Sequence, residues 1–148
     1  MAALLLLRSE LDIKLFAEIV VDATKHDPGK FLQDAIGGTH AAIVTAVAPK
    51  AFEQSMTVLR PGGTVAFIGL PGGDRDMIRA SISGLVNGEL SVRGSNVGTR
   101  ADLAEAVAFA ASGLVRARIE TVPLAAANDT LTRMRDGMLI GRAVLQIA

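Results

Sequence analysis

The chain has 148 residues, half of them apolar and only 3% aromatic, and its fifteen basic and fifteen acidic side chains cancel. That balance excludes the strongly basic surface of a nucleic-acid or anionic-membrane binder. The absence of cysteine excludes disulfides, thiolate metal ligands and a thiol nucleophile.

In chain order, residues 3–17 carry mostly helix formers and read as a helix. The apolar run in "MAALLLLR" is too short to span a bilayer and lacks the charged start and cleavage site of a signal peptide, so a soluble cytoplasmic chain is expected. "EIVVD" (18–22) reads as a short buried strand. "DPGKFLQDAI" opens with an N-cap and first-turn pair, Asp27 and Pro28, and stops at Gly37-Gly38, which predicts a helix. "HAAIVTAV" (40–47) is a second apolar strand. Pro49 opens a helix through Leu59 that Pro61-Gly62-Gly63 ends, and "TVAFIG" is a third strand. The stretch 76–88 is less regular and leads to a fourth strand, "ELSVRGS". Thr99 and Asp102 have the spacing of a capping box, so a helix is expected from there to Gly113. A strand in "ARIETVPL", a helix ended by Gly137 and a final strand in "GRAVLQI" complete the chain.

Strands alternating with helices imply an α/β fold with a mainly parallel sheet. Continuous apolar strands fit positions covered on both faces. Ligands of open α/β sheets sit beyond the carboxyl ends of the strands, which directs attention to residues 45–48, 68–73 and 95–99.

The richest motif is "RPGGTVAFIGLPGG", residues 60–73. Neither a G-x-G-x-x-G fingerprint nor a G-x-x-x-x-G-K-[ST] loop occurs in the chain. Gly62 and Gly63 precede the strand, and Pro71 removes an amide donor that a phosphate nest would use. Turn chemistry is therefore the better reading. Arg142, after Gly141, has the geometry to pair with phosphate, although a lone surface arginine is the simpler reading. His26 next to Asp27 reads as a solvated pair, and His40 has no acid or serine spaced for a relay. These residues describe a ligand-binding scaffold with no visible nucleophile, base or paired carboxylates.

The stretches "AEIVVDATKHDP", "GGTHAAIVTAV", "RPGGTVAFIGLPGGD", "GSNVGTRADL" and "MRDGMLIGRAVLQI" occur in an order and spacing that resembles a known family. They are similar to the C-terminal part of bacterial zinc-dependent alcohol dehydrogenases of the medium-chain dehydrogenase/reductase family. The resemblance implies a partial Rossmann-like, doubly wound parallel sheet lacking its first two strands, plus a C-terminal strand, helix and strand. Residues 1–16 would be an unmatched helix, and residues 17–148 a truncated nicotinamide-cofactor-binding domain whose tail returns toward an absent catalytic domain. Thr45, Ala46 and Val47 would line the cofactor groove. Ile68, Gly69 and Leu70 would lie against the nicotinamide, Ser95, Asn96 and Val97 would close over it, and Arg142 would reach the pyrophosphate. The cofactor would be NAD or NADP. Intact relatives use zinc, but this sequence carries neither the family's cysteine and histidine zinc ligands nor its glycine fingerprint.

The resemblance also implies that the segment around Ala80–Ser83 is the edge strand that pairs subunits in the family, giving a homo-oligomer, or a separate N-terminal half would complete the fold. Neither a nucleic acid nor a membrane is an expected partner. With strands 1 and 2 missing, strand 18–22 is expected to pair beside 41–47 or to be displaced. The leading reading is therefore a cofactor-binding portion of an alcohol-oxidising enzyme, inactive alone and without catalytic or metal-binding residues of its own. The alternatives are a non-catalytic oligomerisation or nucleotide-binding module and, through the turn in "LRPGGTVAFIG", a methyltransferase-like domain.

Overall fold

The computed structural model describes residues 4–5, 17–74 and 76–147. They fall into two units, residues 1–97 and 98–148.

The first unit begins with two short strands, β1 (Leu4–Leu5) and β2 (Ile19–Val20), paired in parallel. The helix expected over 1–16 otherwise lies outside the described residues. At Leu4–Leu5 the backbone is extended instead, because pairing there satisfies the amides and carbonyls of one β2 edge. Among the described residues β2 does not pair with the strand at 39–44, so direct pairing beside 41–47 is not what occurs.

Helix α1 (Pro28–Ile36) starts as its sequence predicts. Asp27 accepts a hydrogen bond from the Lys30 amide at 2.9 Å, Pro28 occupies the first turn, and Gly37 ends the helix at φ 70°. Strand β3 (Thr39–Val44) follows, then α2 (Pro49–Thr57), β4 (Leu59–Phe67), α3 (Ile82–Asn87) and β5 (Ser91–Gly94). The strands β3, β4 and β5 form one parallel sheet in that order.

Two expectations are corrected here. The second helix ends at Thr57, and Leu59 already belongs to β4, opposite Thr39. Val58 and Leu59 are almost fully buried, and the Thr39 amide donates to the Val58 carbonyl at 2.8 Å. Burying those two side chains is worth about 1.5–3 kcal/mol each, more than another half-turn of helix provides. Pro61-Gly62-Gly63 is therefore an excursion within the strand rather than the stop before it. Gly62 takes φ 76° there and donates its amide to the Gly88 carbonyl at 2.8 Å.

Residues 80–83 are also not an edge strand. Ser81 caps α3 by accepting from the Gly84 amide at 3.1 Å, and Ile82 and Ser83 are its first turn. The helix then packs Leu85 against the core, tertiary burial that the weak local pattern around Gly84 does not announce.

The core of this unit is Val44, Phe52, Met56, Leu59 and Val65. Val65, on the central strand, is completely buried. Phe52 and Phe67 meet edge to face at 4.9 Å, joining α2 to the sheet.

The second unit holds α4 (Arg100–Ala111), β6 (Ile119–Pro123), a 3-10 turn at Leu124–Ala126, α5 (Ala127–Arg135) and β7 (Arg142–Gln146). The strands β6 and β7 are parallel. α4 opens with the expected capping box: Thr99 Oγ1 accepts from the Asp102 amide, and Asp102 accepts from the Thr99 amide at 2.6 Å. An ion pair ties α5 to β6, with Arg133 Nη1 2.9 Å from Glu120 Oε1.

Candidate functional site

The carboxyl ends of β3, β4 and β5 stop in register. Val44 lies opposite Phe67, and Phe67 lies opposite Gly94. The next residues on the three strands are therefore Thr45, Ile68 and Ser95. They continue as Ala46, Gly69 and Asn96, and then as Val47, Leu70 and Val97. Nine of the ten residues singled out in the sequence thus form three adjacent loops at one end of one parallel sheet.

The loops are tied to the sheet by main-chain hydrogen bonds. The amides of Ile68 and Gly69 both donate to the Val44 carbonyl, at 2.9 and 2.8 Å, and the Ser95 amide donates to the Phe67 carbonyl at 2.9 Å. Those three donors are consumed, so neither the end of "TVAFIGLPGG" nor the start of the 95–97 loop can direct them at a phosphate. A glycine is required at position 69 because any Cβ there would overlap the Ala46 carbonyl oxygen. It would also stand 2.8 Å from the Ala46 carbonyl carbon and 2.9 Å from that of Thr45.

Several apolar side chains are left uncovered above this tied backbone. Val47 is 63% exposed, Leu70 85% and Val97 90%, with Ile68 about half exposed. Val97 carries φ 34°, a left-handed backbone that a β-branched residue adopts only under strain. Its sequence signal is slight: a valine before Gly98 and the Thr99 cap. The apolar rim and the register are what a flat, partly apolar ring needs beyond the ends of parallel strands.

Arg142 belongs to the second unit, at the start of β7, where its amide donates to the Arg118 carbonyl at 2.9 Å. Its side chain is exposed. Gly141 before it takes φ 87°, and a Cβ there would overlap the Arg118 carbonyl oxygen. This glycine sets the strand entry from which the guanidinium projects.

The histidines are accounted for structurally. Arg60 Nη1 lies 2.8 Å from His40 Nε2, and the same guanidinium donates to the Gly38 carbonyl. Guanidinium only donates, so His40 Nε2 is the acceptor in that pair. Asp27 is committed to capping α1, so it does not orient His26, whose ring stands 6.2 Å from that of Phe31. Among the described residues no cluster of histidine, aspartate and glutamate is placed to hold a metal ion. No helix among them is long and apolar enough to cross a membrane.

Residues 9–112 match the family model of the zinc-binding dehydrogenases, so the match starts before the likeness at residue 17. An alcohol dehydrogenase from Moraxella sp. (strain TAE123) is 46% identical over 132 residues, covering 89% of this chain and 38% of that protein. One from Geobacillus stearothermophilus is 43% identical over 140 residues, covering 95% of this chain and 40% of its own length. The crystal structure of the alcohol dehydrogenase from the hyperthermophilic archaeon Aeropyrum pernix superposes with a TM-score of 0.78 at 31% identity. That overlap covers 90% of this chain and 38% of the archaeal one. The chain spans about two fifths of the length of the relatives it matches.

Proposed function

The chain belongs to the zinc-binding dehydrogenase family, and from that premise we propose that it is the nicotinamide-cofactor-binding portion of a zinc-type alcohol dehydrogenase. The observation that carries the proposal is the register of Thr45–Ile68–Ser95 and the two rows beyond it. Bound NAD or NADP would supply the hydride acceptor for alcohol oxidation or, in its reduced form, the donor for the reverse carbonyl reduction. The chain's own residues bind and orient. Val47, Ile68, Leu70 and Val97 offer an apolar surface to one flat ring and exclude water from it. The Val44 carbonyl fixes the 68–70 loop so that this surface is preformed. Gly69 allows the 68–70 loop to rest on the 45–46 backbone. Arg142 keeps the role its resemblance implies, a charge-assisted partner for phosphate oxygens.

In the intact zinc-type alcohol dehydrogenases that this sequence resembles, zinc would polarise the alcohol oxygen, and this sequence holds no cysteine and only two histidines. Purified chain supplied with zinc, NAD and ethanol is accordingly expected to form no NADH. Saturation-transfer NMR with NADH tests the binding half of the proposal. The nicotinamide protons should receive saturation in the wild type and lose it in Gly69→Val, whereas Arg142→Gln should weaken binding without moving the ring contacts. Saturation confined to the adenine protons, or unchanged by Gly69→Val, refutes the assignment.

The second reading, a non-catalytic oligomerisation module, rests on its own observation: α4 and β5 bury no residue within their units. Light scattering of the eluting chain separates the two readings, since an oligomer indifferent to NADH supports the second alone. The family match removes the ground for a methyltransferase-like domain.

A further inference from the structure

A cavity of about 480 Å³ opens in the first unit between α2 and α3, away from the three loops. Its lining includes none of the nine loop residues. The floor is apolar: Met56 and Leu59 belong to the core, Leu85 and Leu90 pack against it, and the exposed Pro61 completes the lining. Leu59 begins β4 and Leu90 immediately precedes β5, so the floor lies at the amino ends of the strands. The volume is within the range of sites that take small organic ligands.

The rim carries four charges, and their commitments differ. Asp27 accepts the Lys30 amide as the α1 cap, at 2.9 Å. Glu53 accepts the Arg79 amide, also at 2.9 Å. Both carboxylates therefore have main-chain donors and are partly satisfied. The Lys50 ammonium and the Arg79 guanidinium have no anionic partner among the described residues, and both side chains are exposed. The rim charges cancel formally, but the free hydrogen-bonding capacity is cationic. Two unmatched cations above an apolar floor are complementary to one kind of small ligand, a molecule with an apolar body and a single anionic end.

We propose that the cavity between α2 and α3 is a binding site for a small amphipathic carboxylate, its apolar chain on Met56, Leu59 and Leu85 and its carboxylate between Lys50 and Arg79. Arg79 offers a planar fork suited to two carboxylate oxygens, and Lys50 adds a flexible point charge. This site stands apart from the proposed cofactor loops, so its failure would leave the cofactor assignment intact.

The test is calorimetric titration of the full chain with three eight-carbon probes: octanoate, the neutral isostere octanamide, and octylammonium. Affinity should fall in that order, and octanoate binding should weaken with salt. Replacing both cations, Lys50→Gln with Arg79→Gln, should weaken octanoate about three- to tenfold, as expected for two partly screened ion pairs, and leave octanamide unchanged. Lys50→Glu with Arg79→Glu should invert the preference toward octylammonium. All four substitutions are on exposed side chains, so circular dichroism should match the wild type. Equal binding of the three probes, an octanoate affinity indifferent to the double Gln variant, or no saturable binding by any probe overturns the proposal.

Discussion

Gly69→Ala is the most demanding test of the three-loop arrangement. The added methyl group would overlap the Ala46 carbonyl oxygen and stand within 3 Å of two carbonyl carbons, all of them backbone atoms. Backbone cannot rotate away as a side-chain tip does, so either the 45–47 loop or the 68–70 loop must move. Moving the latter stretches the two hydrogen bonds that Ile68 and Gly69 donate to Val44. Overpacking of this kind costs typically 1–3 kcal/mol, and weakening two main-chain hydrogen bonds adds about 0.5–1.5 kcal/mol each. About 3 kcal/mol is therefore expected, which for a chain of this size lowers the melting temperature by roughly 10 °C.

Gly94→Ala is the matched control. Gly94 is the partner of Phe67 in β5, its backbone is not left-handed, and a methyl group on its Cα would have nothing within 4 Å. It should change stability by less than about 0.5 kcal/mol. Thermal denaturation followed by circular dichroism reads both variants. If Gly69→Ala melts within about 2 °C of Gly94→Ala, on the order of what separates neutral surface substitutions, the packing of the two loops is not as described.

Val97→Gly relieves a left-handed β-branched residue and is expected to stabilise the chain by about 1 kcal/mol in thermal denaturation, while removing an exposed apolar contact and weakening NADH binding. A variant that is less stable would show that the φ of Val97 carries no strain. Thr99→Ala removes the α4 cap and should cost about 1 kcal/mol, seen as faster amide exchange over the first turn of that helix. The Thr24 hydroxyl and amide, with Lys25 beside them, hold the Asp22 carboxyl well down, to about 2. Because the folded value is depressed, this contribution to stability is complete above the ordinary carboxylate range and is lost as pH falls from about 4 through 2. An NMR titration of the Asp22 carboxyl carbon should show that midpoint, and Thr24→Val should raise it.

Much of the fold is legible locally. Asp27-Pro28 and Gly37 mark the ends of α1, and Thr99 with Asp102 marks the start of α4, because caps act through residues within one turn. The apolar run at 40–44 and the alternation of elements announce a parallel sheet, but the expected cover on both faces fails at β3, where Ile43 is 68% exposed. Where two forces compete, the local signal fails. Helix propensity runs on through Leu59, yet pairing with Thr39 pulls Val58 and Leu59 into the sheet. Around Gly84 the pattern is weak, and burial of Leu85 makes α3 a helix all the same.

The candidate site divides in the same way. From the sequence alone come the chemistry of its residues, the family they resemble and the lack of a phosphate fingerprint, since these depend on residue identity and short spacing. Register is a matter of tertiary structure. Thr45, Ile68 and Ser95 are more than twenty residues apart in the chain, and only parallel pairing of three strands sets their loops side by side. The same long-range packing decides that position 69 must be glycine, that His40 Nε2 faces Arg60, and that two cations stand unmatched over a cavity. Contacts between distant segments create those constraints, and no local stretch of sequence contains both partners.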